Sequence, residues 1–387
     1  MTDRSAAARF EITDEQRQIA ALAREFAQKE IAPNIAAWDR EHHFPRELYT
    51  KMDAIGLMGV LVDERYGGVG AGYGAYALAV EELARVDAGS AVTLSVHAMI
   101  GAAISKLGNE SQRKNWLPRL SGGDTIAGFA LTESDAGSDA GGIRSTATRS
   151  GNGFVLRGRK QWCTNGTHAG VVMAMFRTGG VGPKGVSAFL LDPKTPGVRV
   201  ERETEKLGIR TSNTCDLAFD DVYVGPEALL GGEGEGFGGA MTALQGGRIG
   251  IAAQAVGILA ACLDASVKFA QERTAFGKPI GAYEGISFKI ARMATDLEAA
   301  RLLVYRAAAL ADAGTPSPTL ASQAKFFAST AARTHASEAL QIHGGYGFTT
   351  EFPVERYYRD AKITEIYEGT SEIQQIIIAR SLLGRLP

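Results

Sequence analysis

Glu368 is the residue whose type and setting in this sequence most directly suggest chemistry. It lies in Ile366-Tyr367-Glu368-Gly369-Thr370-Ser371, between an apolar pair and a glycine, just ahead of a helix start. Ser371 with Gln374 fits an S-x-x-Q capping box, and Ile373, Ile376 and Ile377 follow at helical spacing. Two effects on the carboxylate oppose each other. Apolar neighbours raise its pKa by disfavouring the anion, whereas a helix N-terminus favours the anion. A carboxylate balanced in this way suits a general base that takes a proton from carbon. An exposed acid that only caps the helix leaves the same local pattern, so the window alone keeps both open.

Four further segments carry side chains or backbone suited to binding. Phe129-Ala-Leu-Thr-Glu-Ser-Asp-Ala-Gly-Ser-Asp139 is a polar loop after a short apolar run. It offers N–H groups and hydroxyls to a pyrophosphate or to the carbonyl edge of a flavin. Gln161-Trp-Cys-Thr-Asn-Gly166 presents Trp162 as a stacking face and Thr164 as a hydroxyl, although T-N-G is also a common hairpin end. Arg273-Thr-Ala-Phe-Gly-Lys-Pro-Ile280 reads as a helix end, with Phe276 and Gly277 as the stop. Gln341-Ile-His-Gly-Gly-Tyr-Gly347 places three glycines where backbone can approach a phosphate. His97 and His343 read as packing residues rather than ligands or acids.

The elements that must position these segments fall into three stretches. Thr13-x-x-Gln16 caps a helix whose face is Ile19, Leu22, Ala23 and Phe26, ended by Pro33. Helices over 46–55, 75–85 and 91–107 follow, so residues 1–124 read as an all-helical domain. Alternation and turn residues then replace helical spacing, with Gly151-Asn-Gly153 as a hairpin turn. Residues 125–234 read as an antiparallel β-domain, a barrel or sandwich curled or paired on itself. Residues 235–387 read as an antiparallel four-helix bundle, with helices at about 240–273, 283–313, 317–343 and 371–384. The whole is an α+β multidomain chain. Two glycine fingerprints, Gly70-x-Gly72-x-x-Ala75 and Gly234-x-Gly236-x-x-Gly239, lack the preceding strand and βαβ unit of a dinucleotide site. The second reads as an interdomain hinge.

Composition sets the outer bounds. The 387 residues are 45% hydrophobic and 22% charged, with net charge −2, which gives no electrostatic reason to expect nucleic acid. Three cysteines without C-x-x-C spacing fit a reducing compartment and argue against a metal site. The first ten residues have no apolar core, so no signal peptide is expected, and no membrane-spanning run is expected either. The expected location is cytoplasmic.

Taken together and in order, these segments resemble the acyl-CoA dehydrogenase family over nearly the whole chain. The motifs are T-E-x-x-x-G-S-D at Thr132, W-x-T-N-G at Trp162, R-x-x-F-G at Arg273, the Gln341 loop and the Glu368 segment. The resemblance implies FAD as cofactor, contacted by Phe129, Leu131, Thr132, Trp162, Thr164, Thr370 and Glu372, with Ser138 between FAD and substrate. It implies that Arg273, Phe276, Gln341, Gly344 and Gly345 reach the FAD of a neighbouring subunit, and so a homotetramer built as a dimer of dimers. Gln245, Arg248 and Gly369 are implied substrate contacts. The implied reaction is α,β-dehydrogenation of an acyl-CoA thioester to the trans-2-enoyl-CoA. Glu368 removes the α-proton, the β-hydrogen leaves as hydride to flavin N5, and the Glu368 N–H with a flavin ribityl hydroxyl steadies the enolate-like oxygen. Electron-transfer flavoprotein is the implied acceptor.

Some family members carry the base immediately before the arginine matched by Arg248; here that residue is Gly247, which leaves Glu368. That places the chain with the short-, medium- and branched-chain members, and bulky Val92, Leu94, Val96, His97, Met99 and Ile100 favour a short acyl pocket. Members often have an acid in place of Gln245 and a glutamine in place of Glu284. The alternatives are an acyl-CoA oxidase, usually a much longer chain, and a catalytically silent helical scaffold.

Overall fold

The first helix begins as its capping residues dictate. Thr13 Oγ1 accepts from Gln16 N at 3.2 Å, and Gln16 Oε1 accepts from Thr13 N at 3.1 Å. The computed structural model describes residues 12–123 and 125–384. The first ten residues, on which the signal-peptide expectation rests, and the boundary residue at 124 lie outside the described residues. Helix α1 (Asp14–Phe26) passes into a π-helical turn, Ala27–Ile31. Then come α2 (Ile35–Glu41), α3 (Arg46–Ala54), α4 (Gly72–Ala84), α5 (Ala88–Leu107) and α6 (Glu110–Leu120). Two of these, α2 and α6, are additional to the sequence reading, although α6 has its own capping box of Asn109 and Gln112. A 3-10 turn, Glu64–Tyr66, rather than a strand precedes the glycine loop before α4, consistent with rejecting a dinucleotide fingerprint there.

Eight strands form the middle sheet: β1 (Ile126–Ala130), β2 (Thr146–Ser150), β3 (Gly153–Thr164), β4 (Ala169–Arg177), β5 (Val186–Leu191), β6 (Val198–Glu203), β7 (Thr214–Val224) and β8 (Leu229–Leu230). Their order is β6-β7-β3-β1-β4-β5-β8, with β2 pairing β3 and β4. The sheet is mixed rather than purely antiparallel, because β1 runs parallel to β4 with Ala127 opposite Val171. Local alternation carries no information about which distant strand becomes the neighbour. The Gly151-Asn152 turn does close β2 onto β3, pairing Ser150 with Gly153.

Both faces of β4 are covered. Val171, Met173 and Met175 join the main helical core, while Val172, Ala174 and Phe176 join a second core inside the sheet. A strand buried on both faces reads as a continuous apolar run, as this one does. The second core is aromatic: Phe176 packs edge-on against Phe219 and Phe189, at centroid distances of 5.0 and 6.0 Å.

The third stretch contains α7 (Gly236–Glu272), a two-residue hairpin of β9 (Thr274–Ala275) and β10 (Lys278–Pro279), α8 (Glu284–Asp312), α9 (Pro318–His343), α10 (Val354–Ile363) and α11 (Ser371–Leu383). The four expected helices are there, and α10 is a fifth that the sequence reading lacks. Phe276 and Gly277 do more than stop α7. Both have positive φ, 49° and 80°, and form the turn of the hairpin. The cap of α11 lies one residue earlier than expected: Thr370, not Ser371, is the N-cap, and Gln374 turns back to other partners.

At 1.5 Å per residue α7 is about 55 Å long and forms the spine of the molecule. It is apolar almost all round, as a fully surrounded helix must be. The expectation that no apolar run is long enough to cross a membrane needs correcting. Helices α5 and α7 both reach that length and hydropathy, yet 89% and 83% of their apolar windows are buried inside the protein. Helices α4 and α8 are joined by a part-buried ion pair, in which Arg301 donates to the buried Glu81 Oε1 at 2.8 and 2.9 Å. Buried charges of this kind are tolerable because they are paired.

Candidate active site

A cavity of about 850 Å³ opens where the sheet meets α5, α7 and the segment before α11. Phe129, Leu131, Thr132, Ser138, Trp162 and Thr164 line it from the sheet side; Arg248, Glu368, Gly369 and Thr370 line it from the helices. Ten of the sequence-selected residues therefore meet in one place.

The sheet side is held by a clamp that sequence reasoning missed. Lys160, fully buried, donates from Nζ to Glu133 Oε1 at 2.6 Å and to Leu131 O at 3.2 Å. Glu133 also accepts from the backbone N of Arg144 and Ser145, at 2.7 and 3.0 Å. The loop that carries Thr132 and Ser138 is thus tied at both ends. Burial, the largest single effect, pushes the Glu133 carboxyl up, but the Lys160 charge and the hydrogen bonds from Lys160, Arg144 and Ser145 together outweigh it and hold the carboxyl below its ordinary range. Burial also lowers the Lys160 amine to about 8. Trp162 has a φ of 56° and leaves 56% of its surface exposed at the cavity wall. An open indole beside two threonine hydroxyls and a glycine-containing loop fits a flavin ring with its polar edge.

On the helical side, the competition over Glu368 is decided by burial. Its Oε2 is sealed from solvent and has no hydrogen-bond partner among the described residues. Burial raises the carboxyl to about 7, with Arg248 and Lys325 pulling it back. The helix start does not capture the anion, because the side chain points at α7. An added Cβ at Gly247 would lie 2.5 Å from Glu368 Oε2 and 2.9 Å from Met99 Sδ. Only a residue without a side chain leaves room for the base there. Arg248, next in sequence, is buried with its Nε unpartnered and faces the same cavity.

Of the bulky residues on α5, Val92 and Val96 line the cavity, and Met99 stands beside Gly247. Leu94, His97 and Ile100 are buried but are not lining residues, which corrects the expectation that they narrow the pocket. His97 instead accepts from Ala127 N at 3.2 Å, and burial lowers its pKa to about 4. The opposite wall is Phe237, Met241 and Leu244 of α7, a stripe continuing to Arg248 at helical spacing. That periodicity was available in the sequence.

The remaining selected residues do not line the cavity. Arg273 and Phe276 sit on the exposed hairpin, Phe276 with 96% of its surface free. Gln341, Gly344 and Gly345 are exposed at the end of α9. Glu372 lies in the first turn of α11, and Gln245 is half-buried on α7. Glu284 opens α8, where a negative charge suits the helix start, so its departure from the family pattern carries no local penalty. His343 is buried, hydrogen-bonded to Ala339 O at 2.8 Å and stacked on Phe269.

Helix, sheet and helix surround one cavity with aromatic and apolar walls, and the Glu368 carboxyl lies on its helical side. Models of the acyl-CoA dehydrogenase N-terminal, middle and C-terminal domains match residues 13–124, 128–222 and 234–383. The chain belongs to the acyl-CoA dehydrogenase family, whose enzymes act on the CH–CH bond of acyl-CoA. It is 48% identical to an acyl-CoA dehydrogenase of Bacillus subtilis (strain 168), over 96% of this chain and 99% of that one. Butyryl-CoA dehydrogenase from Megasphaera elsdenii superposes with TM-score 0.95 at 42% identity, covering 97% of this chain and 99% of that one. A chain from the structural work on the electron transferring flavoprotein of Acidaminococcus fermentans, directed at flavin-based electron bifurcation, superposes with TM-score 0.96 at 43% identity. It covers 97% of this chain and 100% of that chain.

Proposed function

We infer that this chain is an FAD-dependent dehydrogenase of short or branched acyl-CoA thioesters, with Glu368 taking the α-proton. The observation that supports this most strongly is that Glu368, with its Oε2 buried and unpartnered, lines the same cavity as Arg248. Phe129, Leu131, Thr132, Trp162 and Thr164 would hold FAD, which supplies the acceptor for the β-hydrogen as a hydride. The chain itself does the rest. Glu368, with its proton affinity raised by burial, takes the α-proton. Among the described residues no acceptor takes the Glu368 N–H, which leaves it free for the thioester oxygen as negative charge develops. Phe237, Met241, Leu244, Val92 and Val96 keep water away and strengthen that interaction.

Behind the base, Tyr73, Tyr76 and Met99 pack onto α7 around Gly246, Gly250 and Gly247, which supports a short acyl tail. Each methylene is worth roughly 0.8 kcal/mol, so a pocket two carbons too short discriminates about tenfold. Anaerobic mixing of purified protein with straight C4 to C16 thioesters, and with isobutyryl- and 2-methylbutyryl-CoA, tests this. The flavin absorbance should bleach without peroxide formation, with the highest kcat/KM at C4 or a branched C4–C5 substrate. A maximum at C12 or beyond would mean that the walls are misassigned; colourless protein would indicate a scaffold, and peroxide an oxidase.

We also propose a homotetramer with electron-transfer flavoprotein as acceptor, supported by the exposed Phe276 tip and by the Acidaminococcus fermentans likeness. Oligomerisation and FAD retention are then linked. Sedimentation of Phe276→Ser should show smaller species that have lost flavin, and a wild-type monomer with full flavin would contradict the assembly.

A further inference from the structure

Near the Glu368 turn lies a buried cation, Lys325, that takes no part in the chemistry proposed above. Lys325 sits on α9 in a stripe of small buried residues, Ala321, Ala324, Ala328 and Ala332, and is itself fully buried. Among the described residues no carboxylate lies within salt-bridge distance of its amine. Its Nζ instead donates to Gly369 O at 2.7 Å, the carbonyl immediately after the base. Burying an ammonium with no carboxylate in direct contact is costly, and one neutral carbonyl offsets little of that cost.

The segment it holds is conformationally demanding. Glu368 and Gly369 both have positive φ, 55° and 93°, and for a glutamate that conformation is unfavourable. Gln374, also buried, donates to the same Gly369 O at 2.8 Å and to Glu368 O at 3.3 Å. Lys325 and Gln374 therefore grip the turn from two helices.

The geometry points to Lys325 as a positioning residue for Glu368: its ammonium fixes the turn that aims the carboxylate. This rests on Glu368 being the base. The charged and titratable groups around the pair are Arg248 from α7, Tyr76 from α4, Tyr367 beside the base, and Glu365 and Glu372 flanking the turn. Burial lowers the Lys325 amine to about 8, with Glu368 pulling it back up, and Lys325 in turn lowers Glu368. The coupling is mutual, as two opposite charges in a shared interior require.

Two substitutions separate the hydrogen bond from the charge. Lys325→Gln keeps a donor for Gly369 O but removes the charge, and Lys325→Met removes both. With the flavin-loaded enzyme and butyryl-CoA, kcat/KM is measured from pH 5.5 to 9. Lys325→Gln should keep flavin and a plateau kcat within about tenfold of wild type, while its acidic limb moves up by about one pH unit. Lys325→Met should show the same displacement with a further loss of kcat. If Lys325→Met does not fold, the limb of Lys325→Gln decides. A limb at the wild-type position, or a Lys325→Gln chain that cannot hold flavin, would leave Lys325 a packing residue and overturn the proposal. Glu368→Gln run alongside keeps the two ideas apart. If it is active, the base assignment fails; if it is inactive while the Lys325→Gln limb is unmoved, only the role of Lys325 fails.

Discussion

Glu368→Gln is expected to retain FAD and to lose turnover by about 10⁴-fold, the upper range for removal of a general base. The amide has nearly the shape of the carboxyl and cannot accept the α-proton, so cofactor content and chemistry should separate. Flavin absorbance per chain and kcat with butyryl-CoA measure the two. The wild-type pH profile follows from the same group. Burial raises Glu368 to about 7, and only its deprotonated form is a base. The value of kcat/KM should therefore fall about tenfold per pH unit below that point and level off above it. More than a few per cent activity in Glu368→Gln would move the base elsewhere.

Gly247→Ala is expected to lower kcat/KM by about 100-fold with flavin content unchanged. A methyl group there would meet Glu368 Oε2 at 2.5 Å and Met99 Sδ at 2.9 Å, so the carboxylate must move. A displacement near 1 Å from a reactive geometry costs on the order of 10²-fold. The helix backbone itself tolerates alanine better than glycine, so α7 should lose no stability from propensity. Steady-state kinetics with thermal unfolding as the control distinguishes these effects. Activity within threefold of wild type would show that the carboxylate has room to spare.

What could be seen in the sequence was mainly what short segments decide for themselves. The Thr13–Gln16 capping box and the Gly151-Asn152 turn depend on residues within four positions of each other, and both are present. The cavity residues Thr132, Trp162 and Glu368 were found because each lies in a recognisable segment. Distant pairing was not accessible in this way. The parallel register of β1 on β4 is set by which faces the helices cover, and alternation alone cannot supply that. The cap of α11 shifted to Thr370 because Gln374 is drawn to the Glu368 and Gly369 carbonyls, a tertiary demand that overrides a local motif. On α5 the period specifies the helix but not its cavity-facing side, so the sequence does not separate Leu94, His97 and Ile100 from the lining residues Val92 and Val96. Lys325 did leave a trace, as the one charge in a stripe of buried alanines, but its partner lies 44 positions away.

A base at Glu368 exchanges a proton with the α-carbon of an acyl-CoA, and that exchange can be measured directly. Butyryl-CoA is incubated with flavin-loaded enzyme in D₂O without an external electron acceptor, and the recovered thioester is weighed by mass spectrometry. The wild-type enzyme should place deuterium at the α-carbon, at a rate that rises with pH to about 7 and then levels off. Glu368→Gln with bound flavin should show no exchange above the buffer rate. Exchange in Glu368→Gln within tenfold of wild type would contradict the account.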